Sequence, residues 1–353
     1  MSRKAALKVA IASFAHTHAA SYVSVLARVP DVDVRASDPH GADAPDSALR
    51  GAELAERLGV DYVDTYDELF AWEPDAVIVA TENSRHRALV ERAAREGVHV
   101  LCEKPLATTV ADGEAMVEAC RAAGVILMIA YPVRFAPGFA VMRDHLDSGR
   151  LGEMFAINGT NNGKLPREHR EWFTDRQLAG GGALVDHVVH CADLIDALTG
   201  GLRAETVNAA SNQILHAKAG LDVETGGLVT VRYPGGLIAT IDCSWSHPST
   251  SATWGGLTLQ ATGTKGSVEI APFAEHVSGL GDDGEIFLGF GTDLNALLLA
   301  EFLDAVRTSG RPVAGQPPRV TPQPDGDVGL RTLEIMEAAL RSAELRQPVA
   351  LER

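Results

Sequence analysis

The chain has 353 residues, 46% of them hydrophobic and 22% charged, with a formal net charge of −16. That composition describes a globular protein with a substantial core and room for two domains. Its acidity argues against nucleic acid and anionic membrane as partners, since both require basic patches. No stretch reads as the ~20 apolar residues of a membrane span. Cys102, Cys120, Cys191 and Cys243 are too scattered for a zinc knuckle or a disulfide framework. The opening MSRKAALKVAIASFAH mimics a secretory signal, but Lys8 interrupts its apolar run. A first strand and a cytoplasmic location with reduced thiols are therefore expected.

In chain order, Leu7–Ser13 reads as a strand and Thr17–Arg28 as a helix; Val32–Ser37 is a strand ending at Asp38–Pro39. Helix Ser47–Leu58, strand Ala76–Ala80, helix Arg85–Arg95, strand Val98–Cys102, helix Val110–Ala123 and strand Val125–Ala130 follow. Strands alternating with helices of this length predict a doubly wound parallel sheet, so residues 1–131 form a nucleotide-binding domain. Residues 132–353 change rhythm. A helix at Phe135–Leu146 leads to strand Glu153–Gly159 and a loop rich in Asn, Gly, Arg and aromatics. Helix Ala183–Leu198 precedes five strands between Glu205 and Ile270, separated by turns such as Pro234–Gly235–Gly236, which indicate antiparallel pairing. Helices Leu294–Arg307 and Val328–Leu345 close the chain. The second domain is thus α+β with a mostly antiparallel open sheet, expected to carry substrate binding and oligomerisation. Its C-terminal helix could pack back on the first domain.

Three stretches carry chemistry. Val98–Cys102 runs into Glu103–Lys104–Pro105, which places a lysine at the C-terminal edge of a buried strand, where open α/β sheets bind ligands. The turn after the first strand, Ser13-Phe14-Ala15-His16-Thr17-His18, occupies the position of a G-x-G-x-x-G motif and lacks all three glycines. Its backbone N–H groups at a helix start still favour an anion. His16 and His18 either assist there or are ordinary loop histidines. Asp38 can accept both hydroxyls of a ribose and repel a 2′-phosphate, or simply start a turn before Pro39. In GGGALVDHVVHCADLID, Asp186, His190 and Asp193 fall on one face of an otherwise apolar helix, an expensive stripe unless paired or used. Gly180–Gly182 permit close approach of a backbone or a ligand. Asp186 and His187 project about 100° apart, so they do not converge with His190 on one ion, and no metal is expected.

Together EKPLA, the GGGxLxDxxxHxxD helix and the closing DGDVGLRTLEIMEAALRSAE resemble the Gfo/Idh/MocA family, named for glucose–fructose oxidoreductase, inositol dehydrogenase and a rhizopine-catabolism protein. The TENSRH turn, RFAPGF and LGEM extend the likeness along nearly the whole chain. The resemblance implies a Rossmann-type first domain. It also implies an NAD(P)-dependent dehydrogenase or reductase acting on a CH–OH group of a sugar, inositol or polyol, assembled as a homodimer or homotetramer. It places Lys104, Asp186 and His190 beside the nicotinamide, with Ser13, Phe14, Ala15, His16, His18, Asp38, Thr81, Asn83, His86, Glu103 and Lys104 as cofactor contacts. Arg134, Lys164, His169, Trp172 and His187 are candidates for the substrate. NAD is expected over NADP, because Pro39, His40 and Gly41 follow Asp38 with no cation to receive a phosphate. Two alternatives stand beside this: a lyase, epimerase or glycosidase that recycles its NAD, and a non-catalytic sugar or dinucleotide sensor.

Overall fold

The computed structural model describes residues 6–43, 49–166, 170–282 and 284–351. The chain divides into two compact units. The first takes residues 1–131, 167–172 and 295–330; the second takes 132–166, 173–294 and 331–353. The first unit is therefore not one continuous stretch.

The first unit contains β1 (Leu7–Ala12), α1 (His18–Leu26), β2 (Val32–Ser37), α2 (Gly51–Leu58), β3 (Asp61–Tyr62), α3 (Tyr66–Ala71) and β4 (Ala76–Val79). It continues through α4 (His86–Glu96), β5 (His99–Cys102), α5 (Val110–Ala123) and β6 (Leu127–Ile129). The strands form one sheet in the order β3-β2-β1-β4-β5-β6, and every pairing is parallel. Strands β4 and β5 are fully buried, as a parallel sheet covered on both faces requires. Helices α2, α4 and α5 stop at Gly59, Gly97 and Gly124, whose φ of 65°, 67° and 70° suits a residue without Cβ. Register aligns Ala12 with Ser37 and with Val79, and Val79 with Cys102. The residues that follow, Ser13, Asp38, Ala80 (with Thr81 next) and Glu103, accordingly leave the sheet along one edge. The second helix starts at Gly51 rather than Ser47, and the expected residues 47–48 lie outside the described residues.

The second unit contains α6 (Pro137–Asp147), β7 (Met154–Lys164), α7 (Arg176–Ala179), α8 (Ala183–Thr199), β8 (Thr206–Asn212), β9 (Gly226–Arg232), β10 (Ile238–His247), β11 (Gly255–Gly263) and β12 (Gly266–Ile270). A separate hairpin, β13 (His276–Gly281) and β14 (Gly284–Gly289), follows. Helix α9 (Leu294–Ser309) comes next, its residues from Asn295 on counted with the first unit; α10 (Gly326–Leu345) and β15 (Val349–Ala350) end the chain. The unit boundary falls inside α10. The sheet order is β12-β11-β7-β10-β9-β8-β15, antiparallel except for β7 with β10.

Strand β7 runs on to Lys164, through Asn161–Asn162–Gly163, where sequence suggested a loop. A run of poor strand formers stays extended here because β10 and β11 pair with it on both sides. One sheet face packs on α8, with Ile157, Val229, Val231, Ala239, Ile241, Leu257 and Leu259 in the core. The other carries cross-strand polar pairs: Thr160 with Thr258, Thr240 donating to Asn158, and Ser244 donating to Asn162, each at 2.7 Å. The stretch Arg176–Thr199 is, contrary to the sequence expectation, long and apolar enough for a membrane span. However, 83% of its 18-residue apolar segment is buried, as in the core helix of a globular unit.

Candidate functional site

In the first unit the turn after β1 begins with Ser13 at φ 79°, a left-handed conformation that glycine adopts freely and serine does not. This is the place where the first glycine of a dinucleotide turn would stand. The serine earns its position through Oγ, which donates to Asp38 Oδ1 at 2.8 Å and accepts the Ala15 N–H at 3.0 Å. Phe14, Ala15 and His16 are buried.

Asp38, at the end of β2, is held by a residue that sequence reasoning missed. Arg50 Nη2 reaches Asp38 Oδ1 at 2.8 Å and Nε reaches Oδ2 at 3.0 Å, a bidentate fork. Arg50 also donates to Glu82 Oε1 at 3.0 Å and to Ser13 Oγ at 3.2 Å, while Arg85 takes Glu82 Oε2. Burial pushes the Asp38 carboxyl up, but the bonds and charge of Arg50, with Ser13 and Gly51, outweigh it and leave the group below its ordinary value. No sequence signal pointed to Arg50, which the reading of a helix from Ser47 placed inside the helix; the structure puts it at the N-cap of α2.

Glu103 is fully buried and turned onto the β1–α1 turn. Its Oε1 accepts Tyr22 Oη at 2.6 Å and His18 Nδ1 at 3.0 Å, and His16 Nδ1 lies 3.6 Å away. Burial raises this carboxyl; the two histidines and the bonds from His18 and Tyr22 hold it well below the usual range. His16 is pushed well down by burial, against the pull of Glu103. Ligand atoms of His16, His18 and Glu103 lie within 4.8 Å of one another, close enough for a metal ion. Yet the acceptor oxygen is already engaged twice, and Lys104 and Arg170 add positive charge beside His16, so the trio reads as a hydrogen-bonded lock on the turn. Glu103, expected to touch cofactor, thus shapes the loop that would hold it.

His86, also expected at the cofactor, has a structural setting of its own. It is fully buried and its ring nitrogens face the carbonyls of Pro105, Leu106 and Thr81, so it braces the Lys104–Leu106 segment. Thr81, Asn83 and Lys104 are buried along the same edge. Trp172, expected at the substrate, belongs to the first unit and donates its indole N–H to the Ala15 carbonyl at 3.0 Å.

In the second unit, α8 begins where Gly182 meets the backbone of Glu224; any Cβ there would collide with the Glu224 carbonyl. The Glu224 carboxylate accepts the N–H groups of Gly182 at 2.7 Å and Leu184 at 3.1 Å, satisfying the start of the helix. Gly182 therefore serves a backbone contact. Asp186, buried, accepts the Trp245 indole N–H at 3.1 Å, and His190, one turn later, is half-buried. His187 Nε2 lies 3.5 Å from Asp186 Oδ2 despite the angular separation expected of adjacent helix residues, and its ring packs at Gly163 of β7. Arg134, expected at the substrate, has its guanidinium, 9% exposed, bonded to Asp193 at 2.9 Å and Asp196 at 3.4 Å. Lys164 is tied to the Ser249 carbonyl at 3.0 Å, and His169 lies outside the described residues.

Residues 38–131 match the family described as oxidoreductase family, NAD-binding Rossmann fold, and residues 139–269 match the GFO/IDH/MocA C-terminal domain. The chain is 37% identical over 224 residues to a 1,5-anhydro-D-fructose reductase of Ensifer adhaerens, covering 63% of this chain and 65% of that one. It is 31% identical over 222 residues to a 2,7-anhydro-N-acetylneuraminate hydratase of Escherichia coli, covering 62% and 58%. Against both relatives the match spans less than two thirds of their length. A myo-inositol 2-dehydrogenase of Thermotoga maritima matches at 28% over 325 residues, covering 88% and 90%. Among solved structures, GenD2 from gentamicin A biosynthesis in complex with NAD superposes with a TM-score of 0.83 at 25% identity, covering 99% and 97%. The two matched domains, in the order and positions of a six-strand parallel sheet followed by a mixed open sheet, establish that the chain belongs to the Gfo/Idh/MocA oxidoreductase family.

Proposed function

We propose that the protein is an NAD-dependent dehydrogenase or reductase acting on a hydroxyl or carbonyl carbon of a sugar-like polyol. The observation that carries this reading is the pair on α8: Asp186, buried and fixed by Trp245, stands one turn before His190 on the same face. An imidazole with a near-neutral reference pKa, steered by a neighbouring carboxylate, suits the proton transfer that accompanies alcohol oxidation. In the first unit, the left-handed turn at Ser13 and the carboxylate at Asp38 fit the pyrophosphate and ribose ends of a nicotinamide dinucleotide. When bound, such a cofactor supplies the hydride acceptor or donor.

The chain's own groups have separate tasks. His190 takes the hydroxyl proton. Lys104, a buried charged donor at the edge of the parallel sheet, is suited to stabilise negative charge developing on an oxygen. Asp186 biases the tautomer of His190 and stabilises its charged form. NAD is favoured over NADP because Asp38 and Glu82 present two carboxylates near the ribose end. A second copy of the chain is the companion partner, meeting the outward sheet face, where Phe155, Leu228 and Ile238 are exposed among the polar pairs. Light scattering at the monomer mass of 37.4 kDa would rule that out.

The test is steady-state turnover on a panel of polyols, read by nicotinamide absorbance. His190→Ala lowers turnover by about 10²–10⁴-fold, while NADH binding, followed by fluorescence, is retained. Near-wild-type turnover in this variant would overturn the role of His190. The likeness to a hydratase supports one other reading, transient oxidation with the cofactor recycled; substrate conversion without net NADH would establish it.

A further inference from the structure

We propose that Arg50 is a specificity-determining residue of the dinucleotide site. By gripping Asp38 it weakens recognition of a bare ribose diol, and it offers the same place a cation for a ribose 2′-phosphate. The inference rests on the dinucleotide reading above and goes beyond it in naming what sets the margin between NAD and NADP.

The argument is one of hydrogen-bond capacity. An ionised carboxylate has about four acceptor positions. Asp38 Oδ1 already takes Ser13 Oγ and Arg50 Nη2, each at 2.8 Å, and Oδ2 takes Arg50 Nε at 3.0 Å and the Gly51 N–H at 3.3 Å. A ribose diol recognises such a residue by donating two O–H groups to it. Both can be accommodated only if Arg50 releases Asp38, so every NAD bound through this carboxylate must first break a bidentate, charge-assisted pair. The competition is strong because the Asp38 side chain is fully buried and that of Arg50 only 8% exposed.

A 2′-phosphate reverses the roles. It carries acceptors only, and Asp38 and Glu82 would both repel it. Arg50 is bonded to both carboxylates and is the cation nearest the ribose end. With Arg50 and Arg85 present, the cluster of Asp38, Glu82, Arg50 and Arg85 is formally neutral; without Arg50 it carries one net negative charge. Arg50 thus narrows a preference that Asp38 alone would make wide. The cation that matters stands twelve positions after the aspartate, on the far side of residues 44–48, rather than directly beside it.

The test is direct binding of NADH and of NADPH to the full chain, by nicotinamide fluorescence or calorimetry, for wild type, Arg50→Met and Arg50→Lys. Arg50→Met binds NADH more tightly and NADPH more weakly, shifting their affinity ratio by about ten- to a hundredfold, the scale of one charge-assisted hydrogen bond. Arg50→Lys, which keeps the charge but loses the fork, gains NADH affinity and retains NADPH affinity. Opposite signs are the signature, because a purely structural role weakens both ligands together. An unchanged ratio, or a parallel fall in both affinities, overturns the proposal. If Arg50→Met does not fold, Arg50→Lys decides it by the NADH gain alone. If wild type binds neither dinucleotide, the functional reading itself falls and this inference with it; if wild type binds both and the ratio does not move, only the role of Arg50 is lost.

Discussion

Two buried aspartates, one in each unit, are each held by an arginine, and their carboxyls respond in opposite ways. Asp38 lies below its ordinary value, whereas burial drives Asp193 up to about 6 in spite of Arg134. Surface exposure does not separate them, since both are at most 1% exposed. The number of donors does. Asp38 receives four hydrogen bonds across its two oxygens, while Asp193 Oδ2 accepts none among the described residues. Arg134 is also divided, since it serves Asp196 and the Asp193 carbonyl as well. A buried carboxylate keeps its charge only where enough N–H and O–H groups converge on it. The ribose-end cluster is built to stay ionised; the α8 cluster is a brace that tolerates a proton.

The largest effect that would sharpen this contrast is expected from Arg134→Met. It strands Asp193 and part of Asp196 in the core of the second unit, at a cost of roughly 3–5 kcal/mol at neutral pH. Below about pH 6 the loss shrinks, because Asp193 is then protonated and needs no partner. Thermal melts at the two pH values measure it, and an equal loss at both would break the comparison.

Next in size is the pH slope itself. The folded value of Asp193, about 6, lies above the unfolded value of 3.8, so the folded state binds a proton more tightly. Its contribution therefore favours the fold at low pH and is lost as pH rises from about 4 to about 6, by ~3 kcal/mol in all. Asp38 has the opposite sign. Its lowered folded value contributes stability above 3.8 that disappears as pH falls through the folded value. Asp193→Asn should erase the decline between about pH 4 and 6 while leaving the acid-side loss intact. A slope unchanged in Asp193→Asn would show that other groups cause it.

The smallest effect concerns Ser13. Ser13→Ala keeps the left-handed strain and loses the bonds to Asp38 and Ala15, whereas Ser13→Gly loses the same bonds but relieves the strain. Ser13→Ala should be the less stable of the two by about 1 kcal/mol. Equal denaturation midpoints would mean that the turn is not strained.

Much of this was legible in the sequence because it depends on local pattern. Alternating strands and helices gave the parallel sheet, and Asp186 and His190 at i and i+4 had to share a face. What stayed hidden were partners chosen by the fold. Nothing near Arg134 in sequence names Asp193, and nothing near Asp38 names Arg50. The stripe on α8 was expected to be paired or used, but its sequence does not show that Asp193, its third member, is paired with Arg134. The partner of Trp172 was hidden for a similar reason. Its indole is as suited to a sugar as to a backbone carbonyl, and only tertiary structure shows that it meets Ala15.

The three-piece make-up of the first unit has a consequence for synthesis on the ribosome. When β6 has emerged, all six strands of the parallel sheet exist, yet the unit still lacks Trp172 and the whole of α9. Helix α9 contributes the buried Leu298, Leu299, Phe302, Leu303 and Val306, and it arrives only after almost all of the second unit has been translated. A nascent chain cannot finish one unit before beginning the next, as a string of separable modules would. Apolar surface meant for α9 waits exposed through most of translation, so folding of the early sheet is coupled to completion of the polypeptide.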